Sequence, residues 1–356
     1  MNIYINGISS ISPQKTFNTN DFLSDIIEHK AKFLKVEKPN YKEFINPKLL
    51  RRMSKIIRMG VATANMAMQE ANIDNPDAII TGTGLGCIVD TEKFLNSMLE
   101  NKETLLTPTS FILSTHNTVG AQIAVMLGCN NYNYTYVHSA ISFESSLIDA
   151  IMHFEEQTAK NILVGGIDEL TEENYNTKIN SNIWKNEATS VKHFFEQDTK
   201  GCIPGESSTF VSLSTEKKEV SYAQLTDVHT IFQADTQTID NELISFLQKN
   251  NLHIEDIDTV LLGINGDAEY DQSYFDFFER NFFHSNLVSY KNICGEHDSA
   301  SAFAFWVASK LIKDQNIPED IKIRSNDKNE YKNVLIYHYN FMHRNNHAFT
   351  LLTSVN

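Results

Sequence analysis

The stretch Tyr134–Ala150, YTYVHSAISFESSLIDA, restricts this chain more than any other. Tyr134, Tyr136 and Val137, with the β-branched Thr135 among them, predict a short buried strand. Leu147, Ile148 and Ile151 predict a helix directly after it, so the backbone must turn a sharp corner in between. Such a corner offers free backbone N–H groups and the positive end of a helix, and many α/β enzymes hold a nucleophile there. The residue at this corner is Ala140, which carries only a methyl group.

The rest of the chain alternates between the same two kinds of element. The opening MNIYINGISSISP alternates as a strand and has no basic start followed by an apolar core, so no signal peptide is expected. A polar region runs to Pro47, and residues 48–72 then predict one long helix through Leu49, Met53, Ile56, Ile57, Val61, Ala64 and Met68. Its first turns are basic, with Lys48, Arg51, Arg52, Lys55 and Arg58. Asp77–Gly86 reads as a strand ending in glycines. Its TGTGLG lacks the Lys-Ser/Thr of a phosphate loop, which favours close backbone packing over nucleotide binding. Pro108–Gly128 enters a helix, Asn161–Gly166 is a buried strand, and Gly201–Ser214 is a turn followed by a strand. After the charged patch Glu216–Glu219 the pattern resumes, with helices at Asn241–Lys249 and Ser299–Leu311. Strands follow at Thr259–Ile264, Val334–Tyr339 and Ala348–Thr353. This predicts an α/β protein of two similar halves, 1–215 and 216–356, with mixed sheets covered by helices.

Composition narrows the function classes. A formal charge of −15 opposes broad contact with nucleic acid or an anionic membrane, although local basic patches remain open. No apolar run approaches the length of a membrane span. Cys87, Cys129, Cys202 and Cys294 are too scattered for a zinc or disulfide framework, so no metal is expected and a cytoplasmic location is.

A set of motifs in order resembles the β-ketoacyl synthases of the thiolase fold, which condense acyl groups carried on acyl carrier protein. Arg51-Arg52-Met53 is similar to that family's basic helix start, and Pro108 through VGAQIA to the segment before its nucleophile. Gly165-Gly166 resembles its double glycine, Pro204-Gly205-Glu206 its PGE turn, and Lys291 with Gly295 its Lys-x-x-x-Gly-His motif. The resemblance implies a layered αβαβα arrangement, a dimer joined near the nucleophile regions, and no cofactor.

It also implies a cysteine nucleophile at the corner and two histidines that stabilise an enolate. Counts from VGAQIAVMLG forward and from Gly165 backward both reach Ala140. The first histidine position falls on Asn265 and the second on Glu296, whose carboxylate is expected to repel an enolate. The family's glycine-rich closing loop is replaced by the bulky Tyr337–Phe349. Two alternatives stay open: a Ser–His–Glu arrangement from Ser139 or Ser142, His138 and Glu144, and a one-residue slip making His297, beside Asp298, catalytic.

Such a degenerate member resembles a chain length factor, the inactive partner of an active ketosynthase in type II polyketide, aryl polyene or flexirubin-type pathways. By that resemblance Phe111, Ile112, Leu113, Thr115 and His116 line the interface or the partner's tunnel. Lys48, Arg51 and Arg52 contribute to docking the acidic carrier protein. A homodimeric acyl- or carrier-protein-binding module is the other reading.

Overall fold

The computed structural model describes residues 1–356 except 105, 186, 188, 191–193, 195–198, 327, 329, 340–344 and 356. Its first unit contains β1 (Ile3–Ile11), β2 (Ala78–Gly82), β3 (Tyr132–Tyr136), β4 (Asn161–Asp168) and β5 (Ser207–Ser214). A second set follows: β6 (Gln224–Phe232), β7 (Thr259–Leu262), β8 (Asn286–Val288), β9 (Lys322–Arg324), β10 (Asn333–Tyr339) and β11 (Asn346–Thr353). Strand order within the first set is β1-β5-β4-β2-β3, and within the second β6-β11-β10-β7-β8 with β9 added at the edge. Both sets are antiparallel across their first two pairings and parallel across the next two. The same topology is therefore built twice, and a short β1–β6 pairing joins the sets.

Alternation along the strands sorts side chains into layers. Ile80, Ile162, Val164, Val211, Leu261, Val334 and Ile336 share one inner core. Between them run two buried helices, α6 (Ser142–Glu155) with Phe143 and Leu147, and α11 (Ala300–Asp314) with Phe303 and Trp306. Ile79, Leu163 and Phe210 point the other way, against α2 (Lys55–Glu70) and α5 (Thr118–Leu127). Val260, Leu262, Leu335 and Phe349 likewise face α8 (Thr236–Lys249) and α9 (Ala268–Asn281). This is the expected helix–sheet–helix–sheet–helix stack.

Two local expectations are corrected. The helix read over 48–72 is two, α1 (Pro47–Leu50) and α2, because the break lets Met53 enter the outer core while Arg51 and Arg52 stay in water. The strand before the corner is an exposed edge: Tyr132 is 40% and Tyr134 49% exposed, and among the described residues no strand pairs beyond β3. Tyrosine and β-branched residues favour any strand, which is why composition did not separate edge from centre. Within the bulky Tyr337–Phe349 region, residues 340–344 lie outside the described residues. Among the described residues no helix is long and apolar enough to cross a membrane.

Candidate functional site

The corner after β3 is built as the sequence suggests. Ser139 takes a left-handed backbone (φ +48°), costly for a residue with a side chain, and the single turn Ser139–Ile141 then leads into α6. Ser142 fixes the turn: its hydroxyl oxygen accepts the His138 N–H at 2.8 Å and lies 2.7 Å from the Ser139 carbonyl and 3.0 Å from that of Thr83. Ala140 faces a cavity of about 350 Å³.

The opposite wall comes from two turns in direct backbone contact. Gly205 N–H donates to the Glu296 carbonyl (3.0 Å) and Glu296 N–H to that of Ile203 (2.8 Å). A Cβ on Gly205 would stand 2.0 Å from the Cys294 carbonyl, and Gly295 has φ +78°, so both glycines are required. Glu206, next in the PGE turn, accepts from Val36 N–H, Leu170 N–H and the Lys55 ammonium (2.5 Å).

Glu296 is buried and fully engaged. Lys291, 3% exposed on α10 (Lys291–Cys294), donates to both carboxylate oxygens at 2.8 and 2.9 Å, and Asn265 Nδ2 adds a bond at 2.9 Å. Asn265 is itself oriented by Asp271, whose carboxylate accepts the N–H groups of Asn265 and Gly266; burial pushes that carboxyl up to about 7. The bare repulsive carboxylate expected at Glu296 is corrected to one neutralised by Lys291. Asn265, at the first histidine position, donates from Nδ2 to Glu296.

Asp168 staples the cavity floor, accepting from Thr83 Oγ1, Gly84 N–H and Leu85 N–H at one oxygen and from Ser299 N–H at the other. Beside it, burial and then the Asp168 charge push the Asp298 carboxyl up to about 7. Burial also raises Glu169 to about 7. His297 Nε2 lies 2.8 Å from Ser207 Oγ, and burial lowers the imidazole's pKa, so the ring is neutral at pH 7. Leu85, Leu170, Ile183 and Trp184 supply the apolar surface.

The residue at the corner position carries no nucleophile, and beside it Ser139 lines the cavity. Ala140 offers none, the four free cysteines are all buried, and none lines the cavity. Burial raises the Cys87, Cys202 and Cys294 thiols. The Ser–His–Glu arrangement is not formed, because Ser142 is held by backbone groups and Glu144 pairs with His338 (2.8 Å) on β10. His138 lies within hydrogen-bond distance of Ser145 instead (3.4 Å).

The remaining expected residues lie outside the cavity. Phe111 and Ile112, on α4 (Pro108–Leu113), are 57% and 62% exposed, and His116 is exposed as well. Leu113 packs toward the outer core, and Thr115 bonds Thr118. Lys48, Arg51 and Arg52 are exposed; the adjoining Lys55 reaches the cavity-lining Leu170 carbonyl (3.5 Å). Sequence reasoning passed over Glu169, Lys178 and Trp184. Only the acidic pair Asp168-Glu169, one residue past the double glycine, hinted at the first.

Removing one partner of a buried ion pair strands the other, at a cost of about 3–5 kcal/mol. Glu296→Gln is therefore expected to lower unfolding stability by about that much, and the double variant with Lys291→Met to recover most of it in denaturant titrations.

A family model described as the β-ketoacyl synthase N-terminal domain matches residues 28–243. No curated protein matches by sequence. Among solved structures, the ishigamide ketosynthase/chain length factor aligns over 100% of this chain and 99% of its own, at TM-score 0.84 and 17% identity. A β-ketoacyl synthase from Burkholderia phymatum STM815 aligns over 100% of both chains, at 0.83 and 12%. A ketosynthase, ApeO, in complex with its chain length factor ApeC from Xenorhabdus doucetiae covers 99% of this chain and 98% of its own, at 0.76 and 16%. These structures share the fold, and the model match over 28–243 takes in more than half of the 356 residues: the chain belongs to the β-ketoacyl synthase family.

Proposed function

We propose that this chain is a non-catalytic subunit of chain-length-factor type, which pairs with an active ketosynthase and helps shape the tunnel for a growing polyene or polyketide chain on acyl carrier protein. The observation that carries this is the corner itself. The strand, left-handed turn and helix of a nucleophile site are all present, and they hold Ala140. The residues at the two histidine positions, Asn265 and Glu296, are committed to each other and to Lys291.

The outer face supports a pairing role. Among the described residues β3 leaves one edge unpaired; Tyr134 on it, Val137 just after it, and Val125 (74% exposed) and Met152 on the helices packed against it are exposed, as are Phe111 and Ile112 on α4. An open edge flanked by exposed apolar side chains is a liability unless another chain covers it. The ketosynthase subunit is the occupant proposed, in a pseudo-symmetric pair that uses the same patch on both chains. Phe111 and Ile112 are then the side chains best placed to reach the partner's tunnel.

Co-expression with a candidate ketosynthase subunit tests this reading. A one-to-one complex is expected; a stable homodimer that ignores the synthase would favour the binding-module alternative.

Lys48, Arg51 and Arg52 form a local basic patch on a chain of net charge −15, and charge complementarity makes the acidic carrier protein its expected partner. Changing all three to Glu is expected to slow product formation by the purified pair about tenfold or more, with a weaker salt dependence. Unchanged turnover would remove the docking role.

A further inference from the structure

A second cavity, of about 450 Å³, shares no lining residue with the one beside Ala140. It opens where β1 parts from the second set of strands. Ile5 still bonds Tyr222 and Ala223 through its backbone, but beyond it no described strand lies on that side of β1, and the Ile8 N–H turns to the Glu70 carboxylate (2.7 Å). Part of the wall is α11, through Trp306 and Lys310.

The lining holds donors with nothing to bind. Trp306 is 1% exposed, and its indole N–H meets no acceptor among the described residues; the N–H is not sealed, so the little of this ring that can be reached opens on the cavity. Ser9, 7% exposed, also lines the cavity, with a hydroxyl that has no partner among the described residues and is not sealed. Lys310 stands one turn beyond Trp306 on the same face of α11. No described carboxylate pairs with it, and the centre of the Tyr222 ring is 5.5 Å from its ammonium. Glu70, the one carboxylate on the lining among the described residues, is already answered: one oxygen accepts the Ile8 N–H and the other the Tyr222 hydroxyl. Burial and then the Glu70 charge raise the pKa of that phenol, so it stays a donor.

A buried donor that looks into a roomy polar cavity calls for an acceptor. An indole N–H and an ammonium can only donate, so a guest must offer acceptors to both, and the charge on Lys310 favours an anionic one. A carboxylate has two oxygens, one for each donor. A cationic guest would set donors against donors and meet Lys310 as a like charge. The rest of the lining suits a hydroxylated body. Ser9 and the side-chain amides of Asn18, Asn20 and Gln69, none of them hydrogen-bonded among the described residues, can each both donate and accept.

We propose that this cavity binds a polyhydroxylated carboxylate, its carboxylate held by Lys310 and the Trp306 N–H and its hydroxyls by Ser9 and the three amides. The site is separate from the corner at Ala140 and from the open edge of β3, and it does not rest on the pairing role.

The probe is gluconate, with sorbitol and glucamine as neutral and cationic controls on the same carbon body. Binding to the full chain is read by calorimetry at low salt. Gluconate is expected to bind saturably, about tenfold or more tighter than either control, and Lys310→Gln, which breaks no described hydrogen bond, to remove that preference. The protein has two tryptophans, so Trp184→Phe leaves Trp306 alone, and its emission is expected to change as gluconate fills the cavity. If Trp184→Phe does not fold, calorimetry on the natural chain and on Lys310→Gln carries the test. Equal affinity for the three probes, no saturable binding at millimolar gluconate, a preference that survives Lys310→Gln, or gluconate binding with Trp306 emission unchanged would each overturn the proposal. A failure here leaves the pairing experiment untouched.

Discussion

A lysine ammonium that is 3% exposed is tenable only while a carboxylate meets it, and at Lys291 that carboxylate is Glu296. Much of the site's character follows from this pair. Glu296 sits on the turn whose backbone bonds to Gly205, so the ion pair and the contact between the two turns hold each other in place. Asn265 closes the group from the loop after β7, with Asp271 behind it. The side chains at the two positions matched to enolate-stabilising histidines are here bound to one another. Acid–base chemistry at this spot would first have to break a buried charge pair.

The corner opposite has the form of a strand, a left-handed turn and a helix. Ser139 keeps a left-handed backbone, and Ser142 keeps that turn tied to Thr83, although the residue they present is an alanine. Backbone geometry of this cost persists when the surrounding packing depends on it. Here α6, which starts at the corner, runs through the middle of the molecule and shares the inner core with α11 and with both sets of strands. The side chain at position 140 stands at the start of that helix and outside the core, so its identity does not bear on the helix's packing. What the chain still offers to other molecules is its outer face, with the open edge of β3 and the basic turn near Arg51, and the cavity between its two walls.

Much of this was legible in the sequence. Alternation and turn residues located strands such as β4, β10 and β11 and the two central helices, because local periodicity reports local burial. The glycine motifs singled out Gly205 and Gly295, though not that their backbones meet, and two gapless counts arrived at Ala140, which stands at the corner. The neutralising role of Lys291 was not legible, nor was the exposure of Tyr134. Both depend on what lies across space: a carboxylate one turn of chain away in an unpredictable orientation, and a strand that happens to have no neighbour. The same holds for the cavity's Trp184, which reaches the site from a polar stretch whose local pattern gives no sign of it.

The central claim is that this chain keeps the scaffold of a condensing site and hands the chemistry to its partner. Intact-mass measurement of both subunits, after the assembled pair is incubated with acyl-loaded carrier protein, tests it most directly. The expected result is an acyl adduct on the ketosynthase subunit and none on this chain. A stoichiometric acyl adduct on this chain would contradict the account.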